Sequence, residues 1–269
     1  MKLACNYSPQ LMELLTTGQT DVDYIKSGAF GPALPELSRM RTLRPVLLHG
    51  MGNHERTGMP GYEALDFARM NSLLVDCGSP HLAIHLGIRN ADVSPGMTHS
   101  EICRRMVDSA LYFSKNLVVP LLLENMGDSP EERTEFDLHP FVEPQWIARV
   151  LEETGAGFLL DIAHAKVAAQ YRGWDFRSYL SDLPLALVRE IHVTGTGLDG
   201  AGEPYDAHGP MEQSDYGLLE WVLGRTAPQI LTLEYGCPAG AGAPEAEPNE
   251  LLYEIHTLKK LTYCRNNEQ

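Results

Sequence analysis

The chain is short of what disulfide frameworks, membrane spans and nucleic-acid surfaces require. Its five cysteines, Cys5, Cys77, Cys103, Cys237 and Cys264, form no C-x-x-C pair and are odd in number. In a chain of 269 residues this argues against a disulfide scaffold and for a reducing, cytoplasmic setting. No apolar run is long enough to span a bilayer, and the first residues, from Met1 to Pro9, lack the apolar stretch of a signal peptide. No membrane association is expected. Basic residues are few: 21 Lys and Arg stand against 36 Asp and Glu, for a net charge of -15. Such a balance repels a polyphosphate backbone and disfavours a nucleic-acid partner. No G-x-G-x-x-G follows the first apolar run, which removes the usual opening of a doubly wound dinucleotide fold.

What the chain does contain is a repeated phrase, an apolar run closed by His, Asp or Glu. Val46 to Leu48 leads to His49, Leu82 to Ile84 leads to His85, and Leu121 to Leu123 leads to Glu124. Gly157 to Leu160 leads to Asp161, with His164 three residues on; Glu190-Ile191 leads to His192, and Leu231 to Leu233 leads to Glu234. Counting Leu3 to Tyr7 and Val22 to Lys26, eight short strands alternate with helical segments. The pattern predicts an α/β fold, a single (β/α)₈ TIM barrel over residues 1–269 with no dividing linker. Ser8-Pro9 reads as a helix start, and Thr98 with Glu101 as a capping box. Tyr62 to Cys77 reads as one helix, Gly127 to His139 as a long polar loop over the mouth, and Gly195 to Gly209 as a Gly-rich loop.

In such a barrel the C-terminal strand ends share one mouth. That places His49, His85, Glu124, Asp161, His192 and Glu234 around one cavity, joined by His164, Asp206 and His208 from just beyond. Nine nitrogen and oxygen ligands exceed the needs of one ion and suit two or three divalent ions. Imidazole and carboxylate without thiolate fit iron, zinc or manganese. Lys26 and Asn125 stand nearby as groups to orient substrate or ligands. His54 and His139 fall on mouth loops, whereas His81, facing the other end, His99 and His256 read as structural. Arg89, Lys166 and Arg172 read chiefly as surface charge, and Cys237 as an inert thiol.

The residues also resemble a known family. Asn6-Tyr7-Ser8, Leu48-His49-Gly50, His85-Leu86, Glu124-Asn125, the run from Tyr179 to Pro184, the run from Glu190 to Gly195, and Asp206-Ala207-His208 are similar to the xylose-isomerase-like superfamily of metal-dependent barrels. Within it they resemble the group that contains the methanobactin-biosynthesis oxidase and related multinuclear non-haem iron enzymes. The resemblance implies iron in preference to zinc or manganese, oxidation of a peptide cysteine or related small substrate, and a partner protein that presents the peptide. Where that group typically has Asp-x-Asn-Asn, this chain has Asp161-Ile162-Ala163-His164. That form resembles the endonuclease IV branch, whose ligand order matches all nine positions. The alternative it implies is a divalent-metal hydrolase or isomerase of a phosphorylated or sugar-like substrate.

Overall fold

A computed structural model describes residues 1–29, 31–50, 56–130, 132–136, 141–236 and 245–266. His54, His139 and Cys237 lie outside the described residues.

Strand β1 (Lys2–Asn6) is followed by α1 (Pro9–Thr16), where the Ser8 hydroxyl accepts the Leu11 N–H and Pro9 occupies the first turn. Next come β2 (Tyr24–Ser27), α2 (Leu37–Leu43), β3 (Val46–His49), α3 (Phe67–Cys77) and β4 (Leu82–His85). The capping box of Thr98 and Glu101 opens α4 (His99–Asn116), which packs behind β5 (Leu121–Glu124). The chain continues through α5 (Glu132–Glu135), α6 (Pro144–Thr154), β6 (Gly157–Asp161), α7 (Ile162–Arg172), α8 (Phe176–Asp182) and β7 (Val188–Val193). An antiparallel hairpin of β8 (Gly195–Leu198) and β9 (Pro204–Gly209) precedes α9 (Gln213–Leu223), β10 (Ile230–Leu233) and α10 (Pro248–Asn266).

Eight parallel strands close in the order β1-β10-β7-β6-β5-β4-β3-β2. The expected barrel is therefore the observed fold. One large apolar layer, with Leu11, Met40, Phe113, Ile147, Leu160 and Leu219 fully buried in it, fills the space between barrel and helices. Inside the barrel the apolar content is small and divided. Ala4, Leu47 and Ile230 form one cluster with Tyr24, and Ala83, Leu122 and Leu159 form another. The rest of the interior is polar. Among the described residues no helix is long and apolar enough to cross a membrane.

Two local expectations are corrected. Tyr62 to Cys77 is not one helix: Tyr62–Ala64 forms a 3-10 turn, and the Asp66 carboxylate caps α3 by accepting the Arg69 N–H. Residues 195–209 are a hairpin, not an irregular loop. Gly195 opens it because a Cβ there would lie 2.0 Å from the Pro210 carbonyl oxygen, so only glycine permits the approach. The fifth strand starts at Leu121, directly after Pro120, which has no N–H to give a ladder.

Glu254 on α10 ties the end of this hairpin to the body of the protein. Its Oε1 accepts the Met211 N–H at 2.5 Å, while its buried Oε2 has no hydrogen-bond partner. Burial, reinforced by Glu250 and Asp215 against the Met211 bond, pushes its carboxyl from 4.5 up to about 7. Between those values the folded chain holds a proton that the unfolded chain has released, so stability falls as pH rises from 4.5 to about 7. Glu254→Gln removes that loss. Equilibrium urea unfolding should find the variant and wild type alike at pH 4, and the variant more stable at pH 8 by as much as about 3 kcal/mol.

Candidate metal centre

Barrel closure brings the strand-end ligands together. Register pairs His85 with Glu124 across β4 and β5, and Asp161 with His192 across β6 and β7. Two groups result. His49, His85 and Glu124 offer ligand atoms within 4.8 Å of one another, and so do Glu124, Asp161, His192 and Glu234. Glu124 belongs to both. Its Oε2 lies 2.5 Å from His49 Nε2 and 3.6 Å from His85 Nε2, while its Oε1 lies 3.2 Å from His192 Nδ1 and 3.5 Å from His164 Nδ1.

The remaining three candidates form the outer wall. His164 stands in the first turn of α7, which starts directly after Asp161 because that carboxylate caps it, accepting the His164 N–H at 2.6 Å. The Asn125 carbonyl lies 2.8 Å from His164 Nδ1, so that nitrogen carries the proton and Nε2 is left for an ion. Nε2 is 3.5 Å from Asp206 Oδ2, which in turn is 2.9 Å from His208 Nε2. His208 reaches this place on a left-handed backbone with φ 45°.

The electrostatics call for cations. Three buried carboxylates within 4.8 Å of one another repel by about 3 kcal/mol per pair at the effective dielectric constant of a protein site. Their three pairs come to about 10 kcal/mol, the order of a whole domain's stability. The protein's own charges respond unevenly. Burial raises the Asp161 carboxyl, whereas for Glu124 burial is outweighed by His192, His85 and His49, which hold it well below the usual range. For His192 burial opposes the charge, yet Glu234 and Glu124 hold the imidazolium well above its ordinary value. Burial lowers His49, with Lys26 acting in the same direction. Asp161 Oδ2 is buried and accepts no hydrogen bond. An all-nitrogen-and-oxygen donor set with an unsatisfied carboxylate oxygen fits divalent ions.

The other sequence candidates have defined partners. Asn125 is fully buried and bonds the Asp161 N–H and carbonyl, each at 2.9 Å, clamping β5 to β6. Lys26 is buried with its ammonium against the His192 ring, 3.6 Å from Glu234 and 3.8 Å from Glu190. Arg172 is not a solvated surface charge: it is largely buried against Asp128, which Arg133 also grips. Lys166 pairs with Asp215 and Arg89 with Glu135. His99 packs on Phe141 and Trp146, and His256 is exposed. Glu190 is not among the sequence candidates; the buried ring of His81, at the foot of β4, lies 2.6 Å from it. The signal was the two-residue period that puts Glu190 and His192 on one face of β7.

A closed parallel barrel with two adjoining ligand groups at its mouth defines a metal-dependent enzyme with a multi-metal site. Similar solved structures share the fold. A D-tagatose 3-epimerase-like protein superposes with a TM-score of 0.62 at 12% identity, covering 100% of this chain and 99% of that one. The IolI protein with a bound zinc atom gives 0.62 at 16% identity, covering 97% and 96%. In sequence, a UPF0276 protein of Bordetella pertussis is 31% identical over 219 residues, 76% of this chain and 73% of the relative. A UPF0276 protein of Caulobacter vibrioides is 28% identical over 223 residues, covering 79% and 76%. The model of the RiPP precursor modification enzyme family MbnB/TglH/ChrH matches residues 22–239. The chain belongs to that family, and its chemistry is metal-dependent and oxidative.

His192→Ala removes the one imidazole of the four-ligand group. Elemental analysis of purified protein should show about one ion per chain fewer than wild type. His256→Ala, on the exposed side of α10, should retain the wild-type content.

Proposed function

We propose that the chain is an iron-dependent oxidase that modifies a cysteine within a peptide. The observation that carries this reading is the shared Glu124 carboxylate between two groups of nitrogen and oxygen ligands. Glu124, Asp161, His192 and Glu234 would hold one ion, and His49, His85 and Glu124 a second. His164, Asp206 and His208 would complete the outer wall and hold a third ion where one binds. Bound iron would supply one-electron redox chemistry and positions open to O₂ and a substrate thiolate.

The chain's own residues supply order, charge and access. Asn125 fixes the β5 and β6 ends through the Asp161 backbone, which keeps Glu124 and Asp161 at a constant separation. Lys26 neutralises part of the carboxylate charge from below. Access is one-sided: the His192 side chain is 1% exposed and Asp161 0%, whereas His85 is 25% and His208 23% exposed. The substrate approaches between His85 and His208. Family membership supports a peptide substrate, and a net charge of -15 suits a neutral or basic one. By resemblance, a second protein presents that peptide.

The test is metal content of chelator-free protein beside an optical spectrum recorded anaerobically and then in air. About two to three irons per chain, with a spectrum that changes on air, is the expected result. Zinc at the same stoichiometry, with no optical change and with phosphoester hydrolysis, would overturn the oxidase in favour of the hydrolase reading.

A further inference from the structure

Glu190 belongs to neither ligand group, yet it is a carboxylate with no exposure inside the barrel. Burying an ion there is costly unless its lone pairs are satisfied. They are. Oε1 accepts the Thr232 hydroxyl at 2.6 Å and faces His192 Nε2 at 3.0 Å, and Oε2 faces His81 Nε2 at 2.6 Å. The partners come from β7 itself, from β10 and from the foot of β4. They fill the polar gap between the two small apolar clusters of the barrel interior.

The geometry at His192 gives this arrangement a purpose. Nε2 faces Glu190, and Nδ1 faces Glu124 Oε1 at 3.2 Å, Glu234 Oε1 at 3.4 Å and Asp161 Oδ2 at 3.6 Å. A carboxylate accepts and cannot donate, so Glu190 requires the proton on Nε2 and leaves the Nδ1 lone pair for an ion. With its Nζ 3.3 Å from Nδ1, Lys26 presses most closely toward the same Nε2. Were the ammonium to donate there, the proton would move to Nδ1 and face the carboxylates, which blocks ligation. The two neighbours therefore favour opposite tautomers.

We propose that Glu190 is a positioning residue of the metal centre. Anchored by His81 and Thr232, it holds His192 in the Nε2–H tautomer with Nδ1 turned to the ion. This rests on the metal reading above. It also assigns roles to two residues outside the ligand set: His81 fixes the carboxylate from the opposite end of the barrel, and Thr232 fixes it from the neighbouring strand.

The probe is Co²⁺, whose visible absorption reports ligand geometry. Wild-type, Glu190→Gln and Glu190→Gln/Lys26→Met chains are titrated with Co²⁺ against a competing chelator, and the melting temperature of each metal-free protein is recorded. Glu190→Gln keeps the shape but weakens the acceptor. It should lower Co²⁺ affinity roughly 10–100-fold and shift the absorption, with the metal-free melting temperature near that of wild type. The double variant should stay weak. Unchanged affinity and spectrum in Glu190→Gln would overturn the proposal. So would full recovery in the double variant, which would make Glu190 only a counter-charge for Lys26. Should Glu190→Gln not fold, Thr232→Val removes one anchor and should act in the same direction more weakly; wild-type Co²⁺ affinity there overturns the proposal. A wild-type chain that takes up no Co²⁺ would overturn the metal reading itself, and the inference with it.

Discussion

The Glu124 carboxylate is the point on which the mouth of this barrel depends. One oxygen faces His49 and His85, the other faces His192 and His164, and the side chain is almost wholly buried. A lone buried carboxylate would take up a proton, since burial penalises its charge. Here the surrounding imidazoles reverse that, and Glu124 stays ionised. Against the cost of burial, Glu234 with Glu124 raises His192, and Asp161 with Asp206 and Glu124 raises His164, each well above its ordinary value. The cluster is thus a set of groups whose charges make sense only together. Asp161, raised by burial and left with an unbonded oxygen, marks where the protein's own cations fall short.

The fold serves this point directly. Eight parallel strands end at one rim, and register alone brings His85 beside Glu124 and Asp161 beside His192. Later segments then close the wall. Asp161 caps α7 and so orients His164, while Gly195 admits the close turn that folds the hairpin bearing Asp206 and His208 over the mouth. Thr194 ties the hairpin base to the end of β10 through the Gly209 and Glu234 carbonyls. The solved D-tagatose 3-epimerase-like protein and the zinc-bound IolI protein share the barrel at low identity, which speaks for the scaffold alone. The donor set at the rim, and membership of the MbnB/TglH/ChrH family, carry the chemistry.

Much of this was legible in the chain because strand ends leave a mark. An apolar run that closes on His49, Glu124 or Glu234 states both the strand and the direction of its last side chain. Capping residues were equally plain at Ser8 and Thr98. What stayed hidden depends on contacts between distant segments. The hairpin at residues 195–209 carries glycines at both ends, a composition shared with irregular loops, and its pairing rests on cross-strand contacts. Asp66 looks like any helical polar residue until its carboxylate is seen capping α3. His81 and Glu190 are 109 residues apart in sequence, so nothing local announces their bond. Lys26 reads as a substrate-facing cation, whereas closure of β1 onto β10 encloses it among Glu190, His192 and Glu234.

The central claim is that two ions share Glu124. It is tested most directly by crystals of iron-loaded protein, with diffraction measured on both sides of the iron absorption edge. The account predicts two anomalous peaks, each within ligand distance of a different Glu124 oxygen, one beside His49 and His85 and the other beside Asp161, His192 and Glu234, at separations of about 2.0–2.4 Å from their donor atoms. A single peak remote from Glu124, or iron held only by surface carboxylates, would contradict it.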